Sequence, residues 1–409
     1  MDTQNSSDTR WRKNFSLDLF QAIPHGMVET MSITFAIVIA NKVFSFGSVE
    51  KMAITAASAM GFFVSLFLVP IVRRSQLSVN LSAFLIWLVS GLGFAIAAYS
   101  RELPYVYFFS SLVAMICLTV STPLISQIHR TLYPDKIRGT LFSIGGLVRA
   151  LIAGIFALVA GGWLDNSGQD FKLLLLLFAG CCVFKGFTVL LMDKVMLRSS
   201  KKLSLLESFK HAGEDKAFRK LLTSWMLLGF GNLLCMVLFV EYVTNPKFGY
   251  DYSSSDTAFI TSTVPMAVFV VMIVPWGILF DKVPFYRLRV IVNVFFLLGI
   301  LVYFLGNGFW ALSIGMGIHA LGKSGGKILW SLWVTKFAKS EHVSEYMSVH
   351  TFLTGVRGVL SPIIAYSLID LTGPDAVHYI AIAGAVLIAI SSAMLIPEIL
   401  EEKRQQAAK

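Results

Sequence analysis

Charge is scarce in this sequence. Only 14% of its 409 residues are Asp, Glu, Lys or Arg, against 56% hydrophobic residues, and the mean hydropathy is +0.72. A soluble domain of this size could not cover such a composition with polar surface. Cysteine is equally sparse: Cys117, Cys181, Cys182 and Cys235 all fall within long apolar stretches, without metal-ligand spacing, which argues against a disulfide framework or a metal site. There is no GxxxxGK loop, so nothing points to an ATP-driven device. No serine–histidine, metal or paired-carboxylate constellation supports catalysis, and no cofactor is expected. The N-terminus, "MDTQNSSDTRWRKN", lacks the short apolar core and small-residue cleavage site of a secretory signal.

What the chain does have is long hydrophobic runs. A bilayer core about 30 Å thick needs roughly 20 apolar residues at 1.5 Å each. Breaking the sequence at its polar clusters predicts twelve spans, at 18–41, 52–72, 78–99, 104–129, 138–163, 171–192, 218–243, 257–281, 287–306, 309–337, 345–371 and 376–397. The net charge of +10 could suggest nucleic acid, but the position of the basic residues argues for a membrane instead. Only Lys42, Lys51, Arg101, Lys172 and Lys247 fall on odd-numbered connections. Most of the others, including Lys282, Arg287 and Arg289 after span eight, fall at the termini or on even-numbered connections. This asymmetry predicts a multi-pass protein of the plasma (bacterial inner) membrane with both termini in the cytoplasm.

Between spans six and seven lies the longest charged connection, "DKVMLRSSKKLSLLESFKHAGEDKAFRK". It suggests a division into an N-terminal six-helix bundle (1–195), a cytoplasmic linker (196–217) and a C-terminal six-helix bundle (218–409). Self-similarity supports a duplication. "LVRALIAGIFA" (147–157) aligns with "GVRGVLSPIIA" (355–365), which places Arg149 on Arg357, and "LFLVP" ending at Pro70 aligns with "VMIVP" ending at Pro275.

Span eight ends "WGILFDKVPFYRLRV", which resembles the loop signature of the major facilitator superfamily at Gly277, Asp281, Lys282, Pro284 and Arg287. The corresponding first-half stretch, "VPIVRRSQLSVN", has Arg73 and Arg74 but neither the glycine nor the aspartate. The resemblance implies an all-α membrane protein of twelve transmembrane helices, arranged as two pseudo-symmetric six-helix bundles and working by alternating access. It also implies a gating role for Gly277, Asp281, Lys282 and Arg287.

Five basic residues remain inside the spans: Arg149, Lys185, Lys323, Lys327 and Arg357. Arg149 and Arg357 lie about ten residues into their spans, near the middle of the membrane, where an arginine costs roughly 2.5–3.5 kcal/mol on insertion scales. Either they are structural, bonded to helix carbonyls or a carboxylate, or they bind an anion, for which guanidinium forks are suited. In "GIHALGKSGGKILW", His319, Lys323 and Lys327 recur every four residues and share one helix face. Glu29 and Glu241 are the carboxylates in reach, and Glu241 is a candidate partner for one of the two lysines. Lys185 is expected to snorkel to the cytoplasmic surface. His350 reads either as an intracellular gate residue or as a substrate contact. His25 and Glu29, one turn apart in span one, read as a proton-binding pair, or Glu29 as a fixed counter-ion.

The expected function is secondary active transport of an organic anion, a carboxylate- or phosphate-bearing metabolite or a carboxylate siderophore, coupled to protons or to exchange. The expected substrate-binding residues are Arg149, Arg357, Lys323, Lys327 and His319, with Glu29 and His25 for protons and His350 among the gating residues. The expected partners are the anion, a proton and membrane lipids, with no nucleic acid, and the chain acts as a monomer. The alternatives are a drug or amphiphile exporter, and, in another class, a transporter-like receptor or membrane-embedded enzyme. Against the exporter, span five lacks the glycine–proline signature of antiporters in this superfamily.

Overall fold

In the computed structural model, residues 2–134, 137–197, 209–210, 213–337 and 343–407 are described. The predicted linker, 196–217, lies largely outside them. The first half contains α1 (Asp2–Thr30), a π-turn (Met31–Phe35), α2 (Ala36–Lys42), α3 (Ser48–Ser75), α4 (Val79–Ala98), α5 (Pro104–Val120), α6 (Thr122–Leu132), α7 (Arg138–Asn166) and α8 (Lys172–Leu191). The second half contains α9 (Lys216–Met236), α10 (Phe239–Thr244), α11 (Ser254–Ala258), a π-turn (Phe259–Thr263), α12 (Val264–Lys282), α13 (Phe285–Leu305), α14 (Gly308–Phe337), α15 (Val343–Thr372), α16 (Ala376–Ala393) and α17 (Ile396–Ala407).

Ten described helical stretches are long and apolar enough to cross a bilayer, and Ser48–Ser65 with Phe67–Ser75 makes an eleventh, bent by 44°. The 30-residue α14 is the remaining long helix; it carries His319, Lys323 and Lys327 and has ample length to span. Twelve membrane-spanning helices result, as the sequence predicts. The ends follow local chemistry. Pro104 opens α5, where a missing N–H costs nothing. Ser78 accepts from Leu81 N–H at the start of α4, and Asp215 accepts from Phe218 N–H at the start of α9.

Two compact units form, one from Met1–Ser200 with Tyr252–Ala258, the other from Lys201–Asp251 with Phe259–Lys409. In the first unit α4 packs between α5 and α8, and α1 packs against α7 and α8. The approach of α1 to α7 needs Gly26, because a Cβ there would overlap the Arg149 carbonyl oxygen. Midway along α1, buried Asp18 accepts a 2.8 Å hydrogen bond from the Tyr133 hydroxyl and lies 3.2 Å from His129 Nε2. Burial and the Asp18 charge hold the Tyr133 phenol well above its ordinary range, so it remains the donor. At the far end of α7, Asp165 accepts from Ser254 N–H (2.7 Å), Ser255 N–H (2.8 Å) and the Ser255 hydroxyl (2.6 Å), capping α11. In the second unit α13 packs on α14 and α16, α12 on α14, and α9 on α15 and α16.

Candidate functional site

Each unit carries a polar cluster inside its helices. In the first, Glu29 lies on the last turn of α1 and Arg149 in the middle of α7, with Arg149 Nε 3.0 Å from Glu29 Oε2. One turn before Glu29, His25 Nδ1 lies 2.9 Å from Lys185 Nζ. An ammonium has only donors, so that ring nitrogen accepts. Lys185 Nζ also sits 3.7 Å over the Trp87 ring, and His25 meets the same ring edge-on at 5.9 Å.

Lys185 does not snorkel as the sequence suggests. It is only 3% exposed, because an inward-facing imidazole acceptor and an indole face are within its reach and replace water. Four ionisable groups from α1, α7 and α8 thus meet in the first unit.

In the second unit Arg357 extends from α15 onto α9, where its Nη1 donates 2.6 Å to the Trp225 carbonyl oxygen. Gly229, one turn further along α9, makes the space: a Cβ there would overlap the guanidinium. His350, two turns before Arg357, is fully buried between the rings of Trp225, Trp330 and Trp333, at centroid distances of 5.7, 5.4 and 5.2 Å.

The charge count assigns Arg289 to the connection after span eight, although the predicted span 287–306 already includes it. The structure begins α13 at Phe285, so Arg289 lies one turn inside it, with 0% exposure and its guanidinium carbon 3.4 Å over the Trp225 ring. The pattern does contain a signal: Arg289 falls in helical phase with Phe285, Asn293 and Phe296, all buried.

His319 is buried on α14, its Nε2 2.7 Å from Asn232 Oδ1, and packs edge-on to Phe239 and Phe296. Lys323 and Lys327 follow at one-turn intervals and are exposed, with Lys327 Nζ 5.7 Å from the Phe269 ring centroid. Glu241 is fully buried and lies 3.5 Å from Lys247 Nζ; it also accepts a 2.8 Å hydrogen bond from Asn245. Asp281 and Lys282 are exposed at the end of α12, and Arg287 is half-buried at the start of α13. Among the described residues, no group of three or more His, Cys, Asp or Glu is placed to hold a metal ion.

The model of the Major Facilitator Superfamily matches residues 244–409. Similar solved structures extend the likeness over nearly the whole chain. The nucleoside transporter NupG superposes with a TM-score of 0.71 at 14% identity, covering 95% of this chain and 98% of that one. A D-xylose-proton symporter superposes at 0.61 and 15% identity, covering 94% and 96%. A POT family transporter in complex with a thioalcohol-conjugated peptide superposes at 0.71 and 14% identity, covering 96% of both chains. No curated protein matches in sequence. The chain thus matches the superfamily's model over residues 244–409, shares the fold of these solved transporters over nearly its whole length, and has ten described helices, or eleven with the bent pair, long and apolar enough to cross a membrane.

Proposed function

We propose that the protein is a secondary transporter of the major facilitator type and that its cargo is an organic anion, a metabolite bearing a carboxylate or phosphate, with a carboxylate siderophore within the same class. The observation that carries this reading is the charge balance of the second unit. Arg357 lies at a mid-helix position of α15 with its buried Nε unpartnered and, among the described residues, no carboxylate paired with it, whereas Glu241 is bonded by Lys247 and Asn245. Membrane-embedded cations are costly unless an anion or carboxylate offsets them, and a mobile anion is the partner a transporter can bind and release. The fold leaves the cargo open, since structures that share it are named for nucleoside, xylose and peptide ligands.

Proton coupling is part of the proposal. Glu29 and Arg149 form an ion pair that a proton or an incoming anion would open, with His25 one turn away. The positive-inside asymmetry supports placement in the plasma membrane with cytoplasmic termini, and the six-plus-six duplication supports two bundles joined by the linker, acting as a monomer.

Proteoliposomes loaded with unlabelled acids test the cargo. Labelled mono-, di- and tricarboxylates and sugar phosphates are offered outside, and counterflow of one class, lost in Arg357→Ala, is expected. Uptake of cationic amphiphiles with no anion counterflow would overturn the reading in favour of the exporter.

A further inference from the structure

Arg289 is fully buried, and its Nε, Nη1 and Nη2 all lack a hydrogen-bond partner. His350 is equally buried, with neither ring nitrogen partnered. Arg357 uses Nη1 on the Trp225 carbonyl and leaves its buried Nε without one. All three converge on Trp225: Arg289 over its ring at 3.4 Å, His350 at its edge at 5.7 Å, and Arg357 on its backbone. Among the described residues no carboxylate is paired with either arginine. The charges acting on His350 are Arg357 and Arg289, and the charge acting on Arg289 is Arg357, all of one sign.

An isolated buried guanidinium does not shed its proton. Removing it from water is costly, and stacking on an indole satisfies none of its N–H donors. Two such groups in one cluster also repel each other. The first unit solves the equivalent problem by placing Glu29 against Arg149. Among the described residues the second unit has no such residue beside Arg357, and the unpartnered nitrogens of Arg289, His350 and Arg357 can act as donors.

We infer that Arg289, His350 and Arg357 form an oxyanion site within the second unit, around Trp225 in the middle of α9 and beside the first turns of α13, taking a carboxylate or phosphate group. Guanidinium donors match two oxygens of such a group, His350 adds an N–H, and the indoles of Trp225, Trp330 and Trp333 exclude water. The site shares Arg357 with the proposed cargo reading, but its occupancy can be read without transport. The oxyanion is either the acid group of the cargo or a free ion resident in the bundle.

The test uses purified full-length protein in detergent at constant ionic strength, with phosphate or acetate replacing chloride. A rise in melting temperature of about 2 °C or more is expected on saturation by mass action, with a parallel change in tryptophan fluorescence. Arg289→Met replaces a buried cation with an apolar chain of similar length. It should melt at or above wild type without oxyanion and show neither response. His350→Phe, which keeps the ring but has no N–H, should weaken binding about tenfold, the worth of one hydrogen bond to a charged group; this measurement decides the matter if Arg289→Met fails to fold. No response in wild type on replacing chloride, or full response in either variant, would overturn the site. Loss of both binding and counterflow in Arg289→Met assigns the anion to the cargo, and loss of binding with counterflow intact assigns it to a resident ion.

Discussion

Arg149 Nε lies 3.0 Å from Glu29 Oε2, joining the last turn of α1 to the middle of α7. The side chains are 23% and 33% exposed, so the pair is only partly screened. Glu29→Gln and Arg149→Gln should each cost about 1–2 kcal/mol by stranding the other charge, and the double variant should recover most of it. Thermal melts of the four proteins check this. In proteoliposomes, Glu29→Gln should lose uptake driven by a pH gradient but keep exchange of labelled for unlabelled anion, which needs no net proton movement. Full gradient-driven accumulation in that variant would leave Glu29 as a counter-ion only.

Gly229→Ala should mimic Arg357→Ala. The added methyl occupies the guanidinium position and forces it off the Trp225 carbonyl. Anion affinity should fall at least tenfold in either variant, and the double variant should be no worse than the singles, because they remove the same interaction. Equilibrium binding of the anion identified by counterflow measures all three.

Asp165 caps α11 with three accepted hydrogen bonds. Asp165→Ala should cost about 1–2 kcal/mol, in the upper part of the range for a helix N-cap. It should also increase hydrogen exchange at Ser254 and Ser255 more than elsewhere. Unchanged exchange there would show that the serines hold the turn without the carboxylate.

Asp281 is exposed and makes no hydrogen bond or ion pair among the described residues. Asp281→Asn should therefore leave thermal stability within about 0.5 kcal/mol. If the loop signature gates, the same variant should shift the accessibility of engineered cysteines on the cytoplasmic side. A large loss of stability would point to a structural role instead.

The twelve spans were legible because bilayer thickness writes itself into run length. Arg149 and Arg357 were legible because a mid-span arginine is costly enough to be conspicuous. Their partners were not: a carbonyl such as that of Trp225 leaves no trace in residue identity, and Glu29 was visible only as one of two candidate carboxylates. Lys185 and Arg289 were misplaced for one reason. Near a span end, hydropathy cannot distinguish a cation reaching out to water from one folded back onto an indole, and here Trp87 and Trp225 decide the direction. Gly229 carries no sequence signal of its own; its role shows only in the guanidinium of Arg357 lying over it.

The π-turn at Met31–Phe35 has a bearing on sequence change. Such a turn holds an extra residue relative to an α-helix, and each residue advances the helix by about 100°. Deleting one residue within 31–35 would thus turn the bulge into an ordinary α-helical turn and keep Glu29 and His25 facing Arg149 and Lys185, whereas the same deletion in the regular helix between His25 and Met31 or beyond would rotate one side against the other by about 100°. A one-residue deletion would therefore be absorbed at the π-turn and filtered by angle elsewhere along this helix.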